Sequence, residues 1–352
     1  MEVKVITSIE MTLMIVIITA LIFTLTNGLN DASSVVATLI CCGAASPIQA
    51  VCLAAIFGFL GSVTGGSAVA NTISAIVTIP IEAALLTVLL AGMVGAVLWN
   101  LVAWRFGLPS SSTHALVGGV VGAVWMSYGA NYILWGWSEL VGANHQLIGI
   151  SKVVAALLLS PVIGLVVAFL LQTISNILLR NADFGINRWI KRIQWVIAAL
   201  LAYSHGANDT QKIVGVIMLA LAAASYPFGD ISTFWISSLG GGVMFVGTLL
   251  GGWSIMKTIG RGIYTIRPIH SLNSQISSGG SILLATMLGL PVSTTQVVVG
   301  SVAGVGSADE FRMVNWKIGK EILMGWCITI PAAAMVAALV YSILELFIVH
   351  NG

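Results

Sequence analysis

The chain has 352 residues, of which 58% are hydrophobic and only 7% charged, with a formal net charge of +2 and a mean hydropathy of +1.03. Soluble domains carry about 25% charged residues, so a globular protein in water is excluded and the solvent for most of this chain is a bilayer. Its few basic residues form no patch with interleaved aromatics, which removes nucleic-acid binding.

From the N-terminus, the first apolar run covers residues 11–25 behind Lys4. No small-x-small cleavage site precedes Asn30-Asp31, so the run reads as a membrane crossing and not as a secretory signal. The Asn-Asp pair interrupts it, predicting a discontinuous crossing over 12–45, followed by a full one over 48–63. Cys41, Cys42 and Cys52, like Cys327 near the other end, lie in apolar stretches without metal-ligand spacing and read as small buried hydrophobes. A turn, Gly107-Leu108-Pro109-Ser110-Ser111-Ser112-Thr113, marks a re-entrant hairpin, and a long crossing over 153–179 ends at Arg180, Arg188, Lys191 and Arg192. Such a basic cluster belongs on the cytoplasmic side.

The second half repeats this order. An apolar half-segment, 193–203, is predicted to break at Gly206-Ala207-Asn208-Asp209 and to resume over 213–224; the turn 226–230 and a crossing over 231–253 follow, met by Lys257, Arg261 and Arg267. Apolar arms at 276–288 and 297–306, only 13 and 10 residues long, flank Gly289-Leu290-Pro291-Val292-Ser293-Thr294-Thr295. Since a spanning helix needs about 20 residues, these arms predict a second hairpin with its tip near mid-membrane. Basic residues Arg312, Lys317 and Lys320 precede the last crossing, 321–349.

The Asn-Asp pairs lie 178 positions apart, 30 to 208, and the turns 182 apart, 107 to 289. Three crossings and one hairpin per half is an odd count, so the second copy is inserted upside down, the first hairpin enters from outside and both termini are outside. The connections 64–81 and 127–151, placed outside by this scheme, contain no Lys or Arg. The fold class is thus an all-α polytopic membrane protein with two inverted-topology repeats, broken helices and two re-entrant helical hairpins. Its first transport repeat is 1–180, its cytoplasmic basic linker 181–192 and its second, inverted repeat 193–352.

A carboxylate at bilayer depth costs several kcal/mol, so Asp31 and Asp209 call for cations, protons or hydrogen-bond donors. That makes them candidate coupling-ion residues, with sodium as one metal they could hold; the competing reading is that each Asn-Asp caps a second half-helix. Ser and Thr after a Pro turn, leading into a helix, offer hydroxyls and free N–H groups at the positive end of the helix dipole. Two opposed tips of this kind can enclose an oxyanion, and inverted hairpins provide alternating access.

The stretches Gly28-Leu29-Asn30-Asp31-Ala32-Ser33-Ser34 and Gly206-Ala207-Asn208-Asp209, with the two Gly-Leu-Pro-x-Ser-x-Thr turns, resemble the inorganic phosphate transporter (PiT) family over nearly the whole chain. The resemblance implies a secondary active symporter carrying inorganic phosphate with protons or sodium, often as a homodimer, in the cytoplasmic membrane and without a cofactor. The cargo is free phosphate or its neutral complex with a divalent metal. Ser111, Ser112, Thr113, Ser293, Thr294, Thr295, Asn30 and Asn208 are the implied phosphate-site residues.

The chain departs from the family at three points. Where many members carry glutamates it has Phe57-Gly58 and Gln275. The first turn ends in His114 but the second in Gln296, and Lys212 stands three residues after Asp209 where the first repeat has Ser34. A Lys at i+3 can neutralise a buried aspartate, so Lys212 is expected to take a sodium ion's place or contact phosphate, tilting the protein toward proton coupling; snorkelling is the bland alternative. His114 is a candidate proton relay, and Arg105 an outer-vestibule attractor or an interfacial anchor. The alternatives are a sulfate carrier, a passive channel, or an intramembrane hydrolase using a Ser and His114, which lacks an oriented acid and base set.

Overall fold

The computed structural model describes residues 2–106, 110–142, 145–226, 230–251 and 262–351. Among these the chain forms twelve α-helices, and six of them are long and apolar enough to cross a membrane. Two helices organise the rest. α1 (Glu2–Cys41, 40 residues) carries Asn30-Asp31, and α8 (Ile186–Ala223, 38 residues) carries Asn208-Asp209. They lie antiparallel: Asn27 bonds Asp209 at one level, and the Cys42 thiol bonds Gln194 at another.

After α1 comes α2 (Pro47–Thr64), opened by a capping box in which Ser46 and Gln49 exchange hydrogen bonds, with Pro47 at the first helical position. A break at Gly65-Gly66-Ser67 leads to the short α3 (Ala68–Ser74). The first hairpin is α4 (Ala84–Phe106) and α5 (Ser112–Tyr128). Short α6 (Trp137–Val141) then precedes the long α7 (Gly149–Leu178). In the second half, α8 is followed by α9 (Asp230–Leu250), the second hairpin α10 (Pro268–Met287) and α11 (Thr294–Glu310), and finally α12 (Trp316–Asn351).

Two apolar cores show how the halves are inverted. One gathers the first hairpin around Leu13 to Phe23 of α1 and Ile213 to Ala223 of α8; the other gathers the second hairpin around Val35 to Leu39 of α1, Cys42 just past its end, and Ala198 to Ala202 of α8. The hairpins therefore occupy opposite ends of the α1–α8 pair.

Several expectations are corrected. Neither crossing breaks at its Asn-Asp pair, because α1 and α8 run through without interruption. The glycines read as breakers are points of close approach: a β-carbon on Gly206 would stand 1.9 Å from the Gly58 carbonyl oxygen of α2. Capping of a second half-helix falls with the break, and the described broken element is α2–α3. The hairpin arms are longer than their apolar runs, at 23 and 17 residues in the first and 20 and 17 in the second. Polar residues His270, Ser271, Asn273 and Ser274 are buried at the base of α10, where Asp309 of α11 pairs with His270 and Gln172 and Ser175 of α7 pair with Asn273. The basic linker becomes helical at Ile186, so Arg188, Lys191 and Arg192 belong to α8. Of the cysteines only Cys42 is buried; Cys41 is half-buried, and Cys52 and Cys327 are exposed on the outer surface of the bundle, where an apolar thiol suits lipid. Gly107-Leu108-Pro109, 227–229 in the outer turn, and Lys257 and Arg261 lie outside the described residues.

Candidate functional site

Where α1 and α8 cross, the two hairpin tips meet. Asp31 is 2% exposed and accepts one hydroxyl on each carboxylate oxygen: Ser112 Oγ donates to Oδ2 (2.8 Å) and Thr295 Oγ1 to Oδ1 (2.7 Å). Ser112 comes from the first tip and Thr295 from the second, so a single carboxylate joins both.

Asp209 is solvated differently. Lys212 Nζ donates to its Oδ1 at 2.6 Å, while Asn27 Nδ2 donates to Oδ2 at 3.0 Å and His205 Nδ1 lies 3.4 Å from the same oxygen. The other Lys212 contacts are Thr113 Oγ1 (2.6 Å) and the Val292 carbonyl (2.7 Å), and Thr113 Oγ1 itself donates to that carbonyl at 3.0 Å. The ammonium has three acceptors for three N–H donors and ties α8 to both tips. It is 1% exposed, so the lysine does not snorkel to an interface.

The asparagines hold the arms. Asn208 donates to Thr286 Oγ1 (2.9 Å) and the Leu290 carbonyl (3.1 Å) and accepts from Val292 N (3.3 Å), fixing the second Gly-Leu-Pro turn. Gly289 opens that turn at φ +65°, a conformation that favours glycine. Asn30 donates to the Asn100 carbonyl of α4 (3.4 Å). The amide oxygens of Asn27, Asn30 and Asn100 are buried with no hydrogen-bond donor among the described residues.

The sequence-predicted residues therefore converge, with different duties. Ser112, Thr113, Thr294 and Thr295 face the α1–α8 crossing, Thr294 Oγ1 lying 3.1 Å from His205 Nδ1. Ser111 is the N-cap of α5, its hydroxyl accepting from His114 N at 3.2 Å, and Ser293 holds the corresponding position before α11. His114 pairs with Gln296 at 3.3 Å, so the two residues that differ between the turns touch each other, and neither aspartate bonds the imidazole. Gln275 donates to Thr38 and Ser271. Arg105 lies exposed in the last turn of α4, past the level where Asn100 meets Asn30.

Asn27, His205, Asn100 and Gln211 were not singled out from the sequence. Asn27 and His205 were findable, since each lies four residues before its aspartate, on the same helical face, at equivalent points of the two repeats. Gln211 bridges the α2–α3 break, donating to the Gly65 carbonyl and accepting from Val69 N, both at 2.7 Å.

Residues 27–337 match the profile described as the Phosphate transporter family. A Bacillus subtilis protein named "Probable low-affinity inorganic phosphate transporter" is 36% identical over 337 residues, covering 94% of this chain and 97% of its own. A Rhizobium meliloti protein of the same name is 36% identical over 331 residues, covering 93% and 95%. A solved structure titled "The sodium-dependent phosphate transporter" superposes with a TM-score of 0.82 at 26% identity, covering 96% of this chain and 99% of that one.

Proposed function

The chain belongs to the phosphate transporter family, and on that premise we propose that it is a secondary active symporter carrying inorganic phosphate across the cytoplasmic membrane by alternating access. The observation that carries this reading is the meeting of Ser112 and Thr295, from opposite hairpins, on one buried carboxylate. Phosphate binds between the tips, held by the Ser112, Thr113, Thr294 and Thr295 hydroxyls and by the free N–H groups at the starts of α5 and α11. Asn30 and Asn208 set the spacing of the arms. One tip then withdraws at a time, opening the site to alternate sides, with the basic face toward the cytoplasm and both termini outside.

Proton coupling is favoured by Lys212. Its ammonium takes a carboxylate, a hydroxyl and a carbonyl oxygen as partners, the ligand set that a sodium ion would choose. A tethered cation there leaves Asp31 as the carboxylate that needs a mobile one. Sodium remains a second reading because the donor-free amide oxygens of Asn27, Asn30 and Asn100 could coordinate it. Phosphate is favoured over sulfate since it can donate its remaining proton to a carboxylate. The decisive experiment is uptake of labelled phosphate into liposomes under separately imposed sodium and proton gradients, with sulfate as competitor. Accumulation driven by protons alone and unaffected by sulfate is expected; strict sodium dependence would remove the Lys212 argument, and equal inhibition by sulfate the substrate assignment.

A further inference from the structure

Lys152, in the first turn of α7, is a half-buried lysine outside the site described above. Its ammonium donates to one neutral oxygen, Thr72 Oγ1 of α3, at 3.1 Å, and among the described residues no carboxylate pairs with it. A half-buried ammonium with a single neutral partner is under-compensated, and an anion is what would complete it.

Its place in the fold says which anion. Thr72 Oγ1 donates in turn to the Gly289 carbonyl at 2.7 Å, so Lys152 is one hydroxyl away from the turn that Asn208 and Lys212 hold from the other side. A groove of about 440 Å³ runs between α7 and α10, from Leu147, Lys152 and Leu290 at one end to Leu171 and Ile276 at the other. Its walls are largely apolar, which leaves Lys152 as the cation at its mouth. In the inverted topology this mouth faces the outer side.

We propose that Lys152, with Thr72, forms a second subsite for a phosphate-type oxyanion at the outer end of the second hairpin tip. This rests on reading the chain as a phosphate symporter. Two sources present the same chemistry: free phosphate arriving from outside, and the headgroup of a lipid whose acyl chain lies in the apolar groove. In either case the anion completes the Lys152 ammonium, and its arrival competes with the Thr72 contact that steadies Gly289.

The test compares wild type, K152Q and K152R in two arms. In the first, phosphate influx into intact cells and uptake into inverted membrane vesicles are measured separately. Free phosphate at the subsite predicts that K152Q raises KM for influx about tenfold, the loss of one charge-assisted contact, with Vmax and the inverted-vesicle KM unchanged and K152R close to wild type. In the second, purified protein is melted with phosphatidylglycerol or phosphatidylcholine added. A lipid headgroup at the subsite predicts that phosphatidylglycerol raises Tm for wild type and K152R but not for K152Q. A KM raised equally from both sides, or K152Q matching wild type in both arms, overturns the subsite. Wild type that takes up no phosphate overturns the transport reading instead, leaving the melting arm to decide on Lys152.

Discussion

Lys212 and Asp209 are bound to each other across one turn of α8, Nζ to Oδ1 at 2.6 Å, with side chains 2% and 0% exposed. Asp31 occupies the equivalent place in the first repeat, yet among the described residues no Lys, Arg or His pairs with it and its two partners are hydroxyls. Two aspartates related by the repeat thus sit in unlike electrostatic surroundings.

Their removal should have unlike effects. Asp209→Asn strands the Lys212 ammonium, and breaking a buried pair costs about 3–5 kcal/mol, so this variant should melt well below wild type in detergent. Asp31→Asn keeps an amide oxygen for a hydroxyl and strands no charge; it should melt near wild type while losing phosphate accumulation. Equal melting of the two variants, or full accumulation by Asp31→Asn, would contradict the assignment.

Replacing Lys212 by Ser, the residue at position 34 of the first repeat, takes the tethered cation from Asp209, Thr113 and Val292. Added sodium should then raise the melting temperature and stimulate phosphate uptake, effects absent from wild type. A variant that stays proton-driven and indifferent to sodium would show that the ammonium is not serving in a sodium ion's place.

Gly206→Ala tests the close approach of α8 to α2 by the sign of its effect. A β-carbon would meet the Gly58 carbonyl at 1.9 Å, and overpacking of this kind costs about 1–3 kcal/mol. Were there open space around 206, alanine in mid-helix would instead gain roughly 0.5–1 kcal/mol. Thermal melting of the variant reads the sign, and a raised Tm would count against the packing described.

Gln211→Leu removes both bonds across the α2–α3 break, leaving Gly65 O and Val69 N without the partner each has now. Of the two groups Val69 N is buried, and stranding such a group costs about 1–3 kcal/mol. Hydrogen exchange should quicken over Gly65 to Thr72 relative to α4; unchanged protection there would mean that α3 is held by other contacts.

The inverted repeat was legible because motif spacing and charge placement both survive in the chain, and because an odd number of crossings per half leaves one arrangement. The tip residues were legible for the same reason. What misled was the meaning of polar and glycine residues inside an apolar run. Asn30-Asp31 and Asn208-Asp209 read as interruptions, yet a helix tolerates them when another segment supplies donors, and those donors come from residues far away in sequence. Gly206 carries no local mark that tells a breaker from a contact, since its use depends on Gly58 of a different helix. His205 and Asn27 lie outside the repeated Asn-Asp motif, although a step of one helical turn before each aspartate leads to them.

The crossing of α1 and α8 bears on ancestry. Asp31 needs Thr295, and Asp209 needs Asn27, so each half completes the carboxylate surroundings of the other. A single-copy forerunner with only one Asn-Asp helix and one hairpin would have had no finished binding site by itself. Two such chains would have had to insert in opposite orientations and associate face to face. Within one polypeptide the two halves need not be identical, and Lys212 at the position equivalent to Ser34 is one such difference.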